Sequence, residues 1–187
     1  MQSTGIFADI QKMHDATVPS FVSPRSVVSE LNLWQGDHVC DFAAGAGHFV
    51  PHLRAAVGSN GKVYARNEQP AHHEMLMREH VMRGQHEVVP HLHTLDDGEL
   101  DIVAGIVDAV LLVNVLSRET SRVTKLLAEV ERVIRRGGKL CVVDWRTQRE
   151  SERALLELLA SFGFTPKRAL TPRAVGVYHY GIIFTKQ

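Results

Sequence analysis

Val39-Cys40-Asp41-Phe42-Ala43-Ala44-Gly45-Ala46-Gly47 reads as a buried strand running straight into a glycine-bearing turn. The helix that follows is expected to begin near His48 and to end before Gly58. Gly45 and Gly47 lack Cβ, so the backbone there can take positive φ and a bound molecule can lie against it at contact distance. The helix then aims its free N–H groups and the positive end of its dipole at any anionic group held in the turn. Strand, glycine turn and helix together make the layout of a nucleotide-cofactor pocket. The turn alone is a weak signal, because strand-to-helix turns also use glycine for steric reasons.

Outward from that stretch, strand and helix patterns alternate. Upstream, residues 1–24 show little periodicity, with Pro19 and Pro24 bracketing an extended piece, and they read as an N-terminal arm. Ser26–Leu33 has the apolar spacing of a short helix, and Gly36 and Asp37 turn into the first strand. Downstream, Lys62–Ala65 is a short strand that delivers Arg66, Asn67 and Glu68 to its end. Pro70 opens a helix through Arg83 that Gly84 follows. Glu87–His91 is a weaker third strand, and 92–107 carries no readable pattern.

Asp108–Val115 is nearly all apolar, as in a strand covered on both faces. Ser117 is placed to cap a helix whose apolar positions, Val123, Leu126, Leu127, Val130, Val133 and Ile134, follow helical spacing. Gly137 and Gly138 are expected to stop it before a strand over Lys139–Asp144. Glu150–Phe162 is a further amphipathic helix. Lys167–Thr171 and Val177–Thr185 read as an antiparallel strand pair around Pro172.

Alternation from Val39 to Phe162 calls for right-handed βαβ units in a parallel sheet with helices on both faces, the α/β class. The ligand crevice then lies outside the carboxyl ends of the strands, where strand order reverses. The residues that matter are those just past each strand: 42–47, 66–68, those after His91, 114–117 and 144–146.

The chain has 187 residues, 44% hydrophobic and 22% charged, which fits one soluble globular domain. Lys plus Arg and Asp plus Glu number 21 each, so no overall field draws nucleic acid or an acidic membrane. No apolar run approaches bilayer length and the N-terminus has no signal-peptide pattern, so a cytoplasmic location is expected. Cys40 and Cys141 fall inside predicted strands and suit reduced, buried thiols.

Asp41-Phe42-Ala43-Ala44-Gly45-Ala46-Gly47 resembles the first motif of the class I S-adenosylmethionine-dependent methyltransferases, an acidic residue closing the first strand before Gly-x-Gly-x-Gly. Gly61-Lys62-Val63-Tyr64-Ala65, with Pro70 beyond it, is similar to that family's second strand. Residues 129–144, with Gly137-Gly138, resemble its helix and turn before the fifth strand, and the closing strand pair its antiparallel sixth and seventh strands. The resemblance covers roughly residues 25–187.

It implies a Rossmann-like, doubly wound, mostly parallel sheet of seven strands in the order 3-2-1-4-5-7-6, the last antiparallel. It also implies a single domain over 25–187, with the arm 1–24 as a lid. The cofactor implied is S-adenosylmethionine. Its contacts are carried over to Asp41, Phe42, Ala43, Ala44, Gly45, Ala46, Gly47, Asn67, Glu68, His93, Asn114 and Val115.

Three positions depart from the family pattern. Ala43 replaces the first motif glycine. The acidic residue that grips the ribose falls at Asn67, with Glu68 one place later, and an amide lacks the charge-assisted strength of a carboxylate. No acid meets the adenine after the third strand, where Leu92 and His93 stand and Asp96 and Asp97 come late. A dinucleotide oxidoreductase would instead want a third glycine where Val50 stands.

As a catalyst the protein would position the acceptor and exclude water. His14, His48 and Asn114 are the candidate catalytic residues, the histidines as general bases near neutral pH. His48/His52 and His91/His93 have pair spacing that a metal could use, but no third ligand accompanies either and no metal site is expected. His72, His73, His80 and His86 read as surface positions. Arg132, Arg135, Arg136, Arg146, Arg149 and Arg153 gather without interleaved aromatics, as on a solvated face rather than a nucleic-acid surface.

Two functions of different class follow: a methyltransferase acting on a small molecule or an exposed group of a larger one, and a methyltransferase-like binding or scaffold module. The chain has almost no inserted caps, which suggests an open acceptor site, or one completed by a homodimer or another partner subunit. The acceptor itself is not readable.

Overall fold

The computed structural model describes residues 21–116, 120–146 and 149–187. Most of the expected arm, with His14, and the capping position Ser117 lie outside these residues. Seven strands, β1 (His38–Asp41), β2 (Lys62–Asn67), β3 (Val88–Leu92), β4 (Val107–Val113), β5 (Ile134–Trp145), β6 (Phe164–Ala169) and β7 (His179–Lys186), form one sheet in the order β3-β2-β1-β4-β5-β7-β6. The first five are parallel, and β7 runs antiparallel to both β5 and β6.

Among the described residues the α-helices are α1 (Pro24–Glu30), before β1, and α2 (Val50–Val57), α3 (Pro70–Glu79), α4 (Thr120–Val133), α5 (Arg149–Ser161) and the one-turn α6 (Pro172–Val175), between strands. Val27, Val50, Leu53, Val57, Leu76 and Val175 cover one face of the sheet, meeting Val39, Val63, Ala109 and Leu111. Val123, Leu127, Val130 and Leu159 cover the other, meeting Cys40, Val110, Leu112 and Val142. Because β4 is covered twice, consecutive residues must all be apolar, which is why Ala109–Leu112 lacks the alternation of a half-exposed strand. Burial pushes the Cys141 thiol up to about 12 and the Cys40 thiol well above its usual range, so both pack as small hydrophobes.

Element boundaries differ from the sequence reading where local chemistry competes. The first helix begins at Pro24 rather than Ser26, because Ser23 caps it: its Oγ accepts the Ser26 N–H at 3.4 Å. Helix α2 starts at Val50, two residues after His48. Asn67 belongs to β2, since pairing with Leu92 extends that strand.

Gly137 and Gly138 do not stop α4, which ends at Val133. They lie within β5, in an excursion between Ile134, paired with Val107, and Lys139, paired with Ala109. Strand β6 starts at Phe164, earlier than read, and β7 at His179, two residues late. Leu170 and Val175 pack in the core between them.

Candidate active site

The crevice is built where β1, β2 and β4 end. Asp41 closes β1 with its side chain buried, and its Oδ1 accepts the Ala43 N–H at 3.2 Å. Burial pushes its carboxyl up to about 7, opposed by that N–H bond, and Oδ2 has no partner. The turn beyond is anchored to both neighbouring strands: Phe42 N–H donates to Leu111 O at 3.1 Å, and Ala44 N–H to Arg66 O at 3.1 Å.

Gly45 (φ +53°) and Gly47 (φ +83°) both take the left-handed conformation that the turn was expected to need. Their surroundings differ. A Cβ on Gly47 would come within 2.5 Å of Leu76 Cδ2, so that glycine admits helix α3. A Cβ on Gly45 would find only Ala43 O, at 3.9 Å, so its face is open to a ligand.

At the end of β2, Asn67 and Glu68 part ways. Asn67 is buried, its carbonyl accepts the His93 N–H at 2.9 Å, and its Nδ2 has no partner. Glu68 is gripped by Arg66 Nη2 at 3.0 Å and Arg122 Nη2 at 3.2 Å. Arg66, itself buried, also donates from Nη1 to Phe42 O at 3.1 Å. Arg66, Glu68 and Arg122 thus line a recess with Phe42, Ala43 and Val115.

Sequence reasoning placed Arg66 just past the second strand without a role; the structure puts it inside β2, where it holds Glu68. His93 lies beside Asn67 with both ring nitrogens buried and unpartnered. Asp97 accepts the Thr94 N–H at 2.7 Å, and Asp96 pairs with Lys125, so each late acid is bound within its own neighbourhood.

Across the sheet, Asn114 follows β4 in the left-handed region (φ +55°), with its Oδ1 buried and unpartnered. It lines an open hollow of about 730 Å³ together with Phe21, His48, Phe49, Trp145 and His179. Trp145, His179 and Phe21 have no local sequence signature and come together only through the sheet. Asp144, between them in β5, is buried; its Oδ2 accepts the Leu116 N–H at 2.8 Å and its Oδ1 its neighbour's N–H at 2.8 Å. It sets the turn that carries Val115.

Among the other histidines, His73 Nδ1 and His91 Nε2 are buried without a hydrogen-bond partner. His80, read as a surface residue, is buried and pairs with Gln85 at 2.6 Å, because its helix ends against the Gln85 loop. Burial lowers the His91 imidazole. No group of three or more His, Cys, Asp or Glu able to hold a metal occurs among the described residues. Arg132 is tied to Glu129, Arg135 to Asp108 and Arg153 to Glu157, as a solvated, paired face requires. No helix among the described residues is long and apolar enough to cross a membrane.

The unpartnered atoms form a complementary set. Asp41 Oδ2 can accept from an ammonium, Asn67 Nδ2 can donate to a hydroxyl, and the turn after β1 leaves the face of Gly45 open. S-adenosylmethionine carries an ammonium and ribose hydroxyls, so these residues fit it.

Known proteins share this fold. No curated protein sequence matches the chain. Among solved structures, a SAM-dependent methyltransferase from Aquifex aeolicus is similar at TM-score 0.76 and 24% identity, over 96% of this chain and 98% of that one. A SAM-dependent O-methyltransferase from Thermotoga maritima matches at TM-score 0.64 and 20% identity, over 97% of this chain and 71% of that one. Fibrillarin from Aeropyrum pernix, solved with natively bound S-adenosyl-L-methionine, matches at TM-score 0.67 and 14% identity, over 82% and 68%. Residues 40–142, more than half of the sequence and the span from β1 into β5, match the methyltransferase domain family. The chain has the fold of the SAM-dependent methyltransferases and belongs to the methyltransferase domain family.

Proposed function

We propose that the protein is a methyltransferase that binds S-adenosylmethionine across the ends of β1, β2 and β4 and transfers its methyl group to an acceptor held beside Asn114. The observation that carries this reading is the set of buried polar atoms left unpartnered at the ends of β1, β2 and β4: Asp41 Oδ2, Asn67 Nδ2 and Asn114 Oδ1. Buried polar atoms without partners are costly, roughly 1–3 kcal/mol each, and a ligand that supplies the missing bonds recovers that cost.

When bound, the cofactor supplies an electrophilic methyl group on a sulfonium. The chain's residues do the rest. Asp41 binds the ammonium, and the backbone of Phe42, Ala43, Ala44, Gly45, Ala46 and Gly47 forms the wall beneath the methionine part. Asn67 donates to the ribose, because Glu68 is engaged by Arg66 and Arg122 and acts by holding Arg66 in place. His93 and Val115 flank the adenine, and Asn114 orients the acceptor. Exposed His48, at the rim of the hollow, is the described histidine open to solvent there for taking up a proton.

Titration calorimetry with S-adenosylmethionine and S-adenosylhomocysteine tests the reading. Micromolar binding to the wild type, lost in Gly45→Arg with the fold intact by circular dichroism, is the expected outcome. No binding of either compound by the folded wild type would overturn it and favour a non-catalytic binding module.

A further inference from the structure

The hollow beside Asn114 differs from the cofactor crevice in its chemistry. Among the described residues, no lysine, arginine, aspartate or glutamate lines it. A charged acceptor would be stripped of water there with no opposite charge to meet it. Its volume of about 730 Å³ is that of a small-molecule pocket.

Its walls are rings. Trp145 is 44% exposed and stacks on His179 with centroids 4.1 Å apart and planes inclined by 35°. Phe21, 66% exposed, meets Tyr178, 54% exposed, at 6.1 Å beside the mouth. Exposed aromatic surface gathered at one cavity marks a recognition site, since flat ligands gain both burial and ring stacking from it.

Two polar groups in this wall lack partners. His179 is only 2% exposed, and neither Nδ1 nor Nε2 is hydrogen-bonded. Burial lowers its affinity for a proton, against the pull of Asp144, so it stays a neutral imidazole with a free acceptor nitrogen. Asn114 Oδ1 is the second unpartnered acceptor. The backbone holds both in place: Asn114 N–H donates to Val143 O at 2.9 Å, and Arg146 Nε donates to His179 O at 2.9 Å.

We propose that this hollow takes as methyl acceptor an uncharged, flat aromatic molecule bearing a hydroxyl or ring N–H. Trp145 stacks on its ring, and Asn114 and His179 accept a hydrogen bond from its hydroxyl or ring N–H; on transfer an O–CH3 or N–CH3 bond would replace the S–CH3 bond of the sulfonium, which would leave as a neutral thioether while His48 took the released proton. The assignment of the molecule as acceptor rests on the methyltransferase reading; its binding to the hollow does not.

Calorimetry on the full chain, with and without saturating S-adenosylhomocysteine, separates the two. The probes are 2-naphthol, its saturated counterpart decahydro-2-naphthol, and 2-naphthoate, which match in size and differ in flatness or charge. The expected result is 2-naphthol binding about two- to tenfold tighter than either control, the range that ring stacking supplies. Trp145→Leu and Phe21→Ala, both at exposed positions, should each shrink that preference without changing S-adenosylhomocysteine affinity.

Equal binding of the flat and saturated alcohols, tighter binding of the carboxylate, or a preference that survives both substitutions would overturn the proposal. If 2-naphthol shows the preference while S-adenosylhomocysteine fails to bind, the hollow stands and the cofactor reading falls.

Discussion

The two halves of one sheet edge have opposite chemistry. On the β1–β2 side, charges are dense and mostly matched: Arg66, Glu68 and Arg122 hold one another, and Asp41 waits beside them with one oxygen free. On the β4–β5–β7 side no charged side chain faces the hollow among the described residues, and rings surround two unpaired acceptors. The first half is suited to a polar ligand that brings its own charges, the second to one that brings none. A single fold edge can therefore keep two ligands apart by polarity alone, without a cap domain.

Blocking one half should leave the other intact. Gly45→Arg plugs the open face of the turn and should weaken S-adenosylhomocysteine binding by about a thousandfold, roughly 4 kcal/mol, while 2-naphthol still titrates. Loss of both in calorimetry would show that the halves are one site.

Glu68→Ala tests whether the charged half is structural. It leaves buried Arg66 without a carboxylate and should cost about 3 kcal/mol of stability in denaturant titrations. An unchanged midpoint would mean that Arg66 finds another partner.

Asp41 gives the charged half a pH signature. Its folded carboxyl titrates at about 7, against 3.8 for the ordinary group, so the native state holds the extra proton between those values. Its contribution to stability is full below about 3.8 and is lost as pH rises through 7. An ammonium beside it favours the carboxylate, so binding should release a proton below pH 7. Affinity for S-adenosylhomocysteine should then rise by up to about tenfold per unit toward neutrality and level off above it. Asp41→Asn should flatten both profiles; a profile unchanged by that substitution would remove Asp41 from the site.

Asn67→Asp restores the charge-assisted ribose contact and should tighten cofactor binding by about fivefold. Weaker binding would place the ribose elsewhere. The smallest effect belongs far from the edge, where Arg153→Ala breaks an exposed pair with Glu157 and should leave the denaturant midpoint unchanged.

Much of this edge was legible before the structure. The apolar runs around Cys40, Val110 and Val142 forced a sheet covered on both faces, and Gly45 and Gly47 marked the turn after β1, where both take positive φ. Boundaries were harder, because Gly137-Gly138 reads equally well as a helix stop and as an excursion within a strand. The split between Asn67 and Glu68 could not be read either: the carboxylate is the better ribose ligand by chemistry, but two arginines, one of them 54 positions away, claim it. The hollow was least legible of all. Phe21, His48, Asn114, Trp145 and His179 come from five separate stretches, and only strand order makes them neighbours.

Strand β7 lies between β5 and β6 although it follows both in the chain. During synthesis, β5 and β6 therefore emerge first with facing edges unpaired, a state open to pairing with other chains. His179 is the first residue of β7, so the wall of the hollow arrives with the strand that closes the sheet. A nascent chain that already has its complete β1 turn and β2 end still lacks its aromatic half. The β1–β2 half of the edge can thus be complete on the ribosome ahead of the hollow, and a chaperone that shields the β5 edge would also be guarding the unfinished hollow.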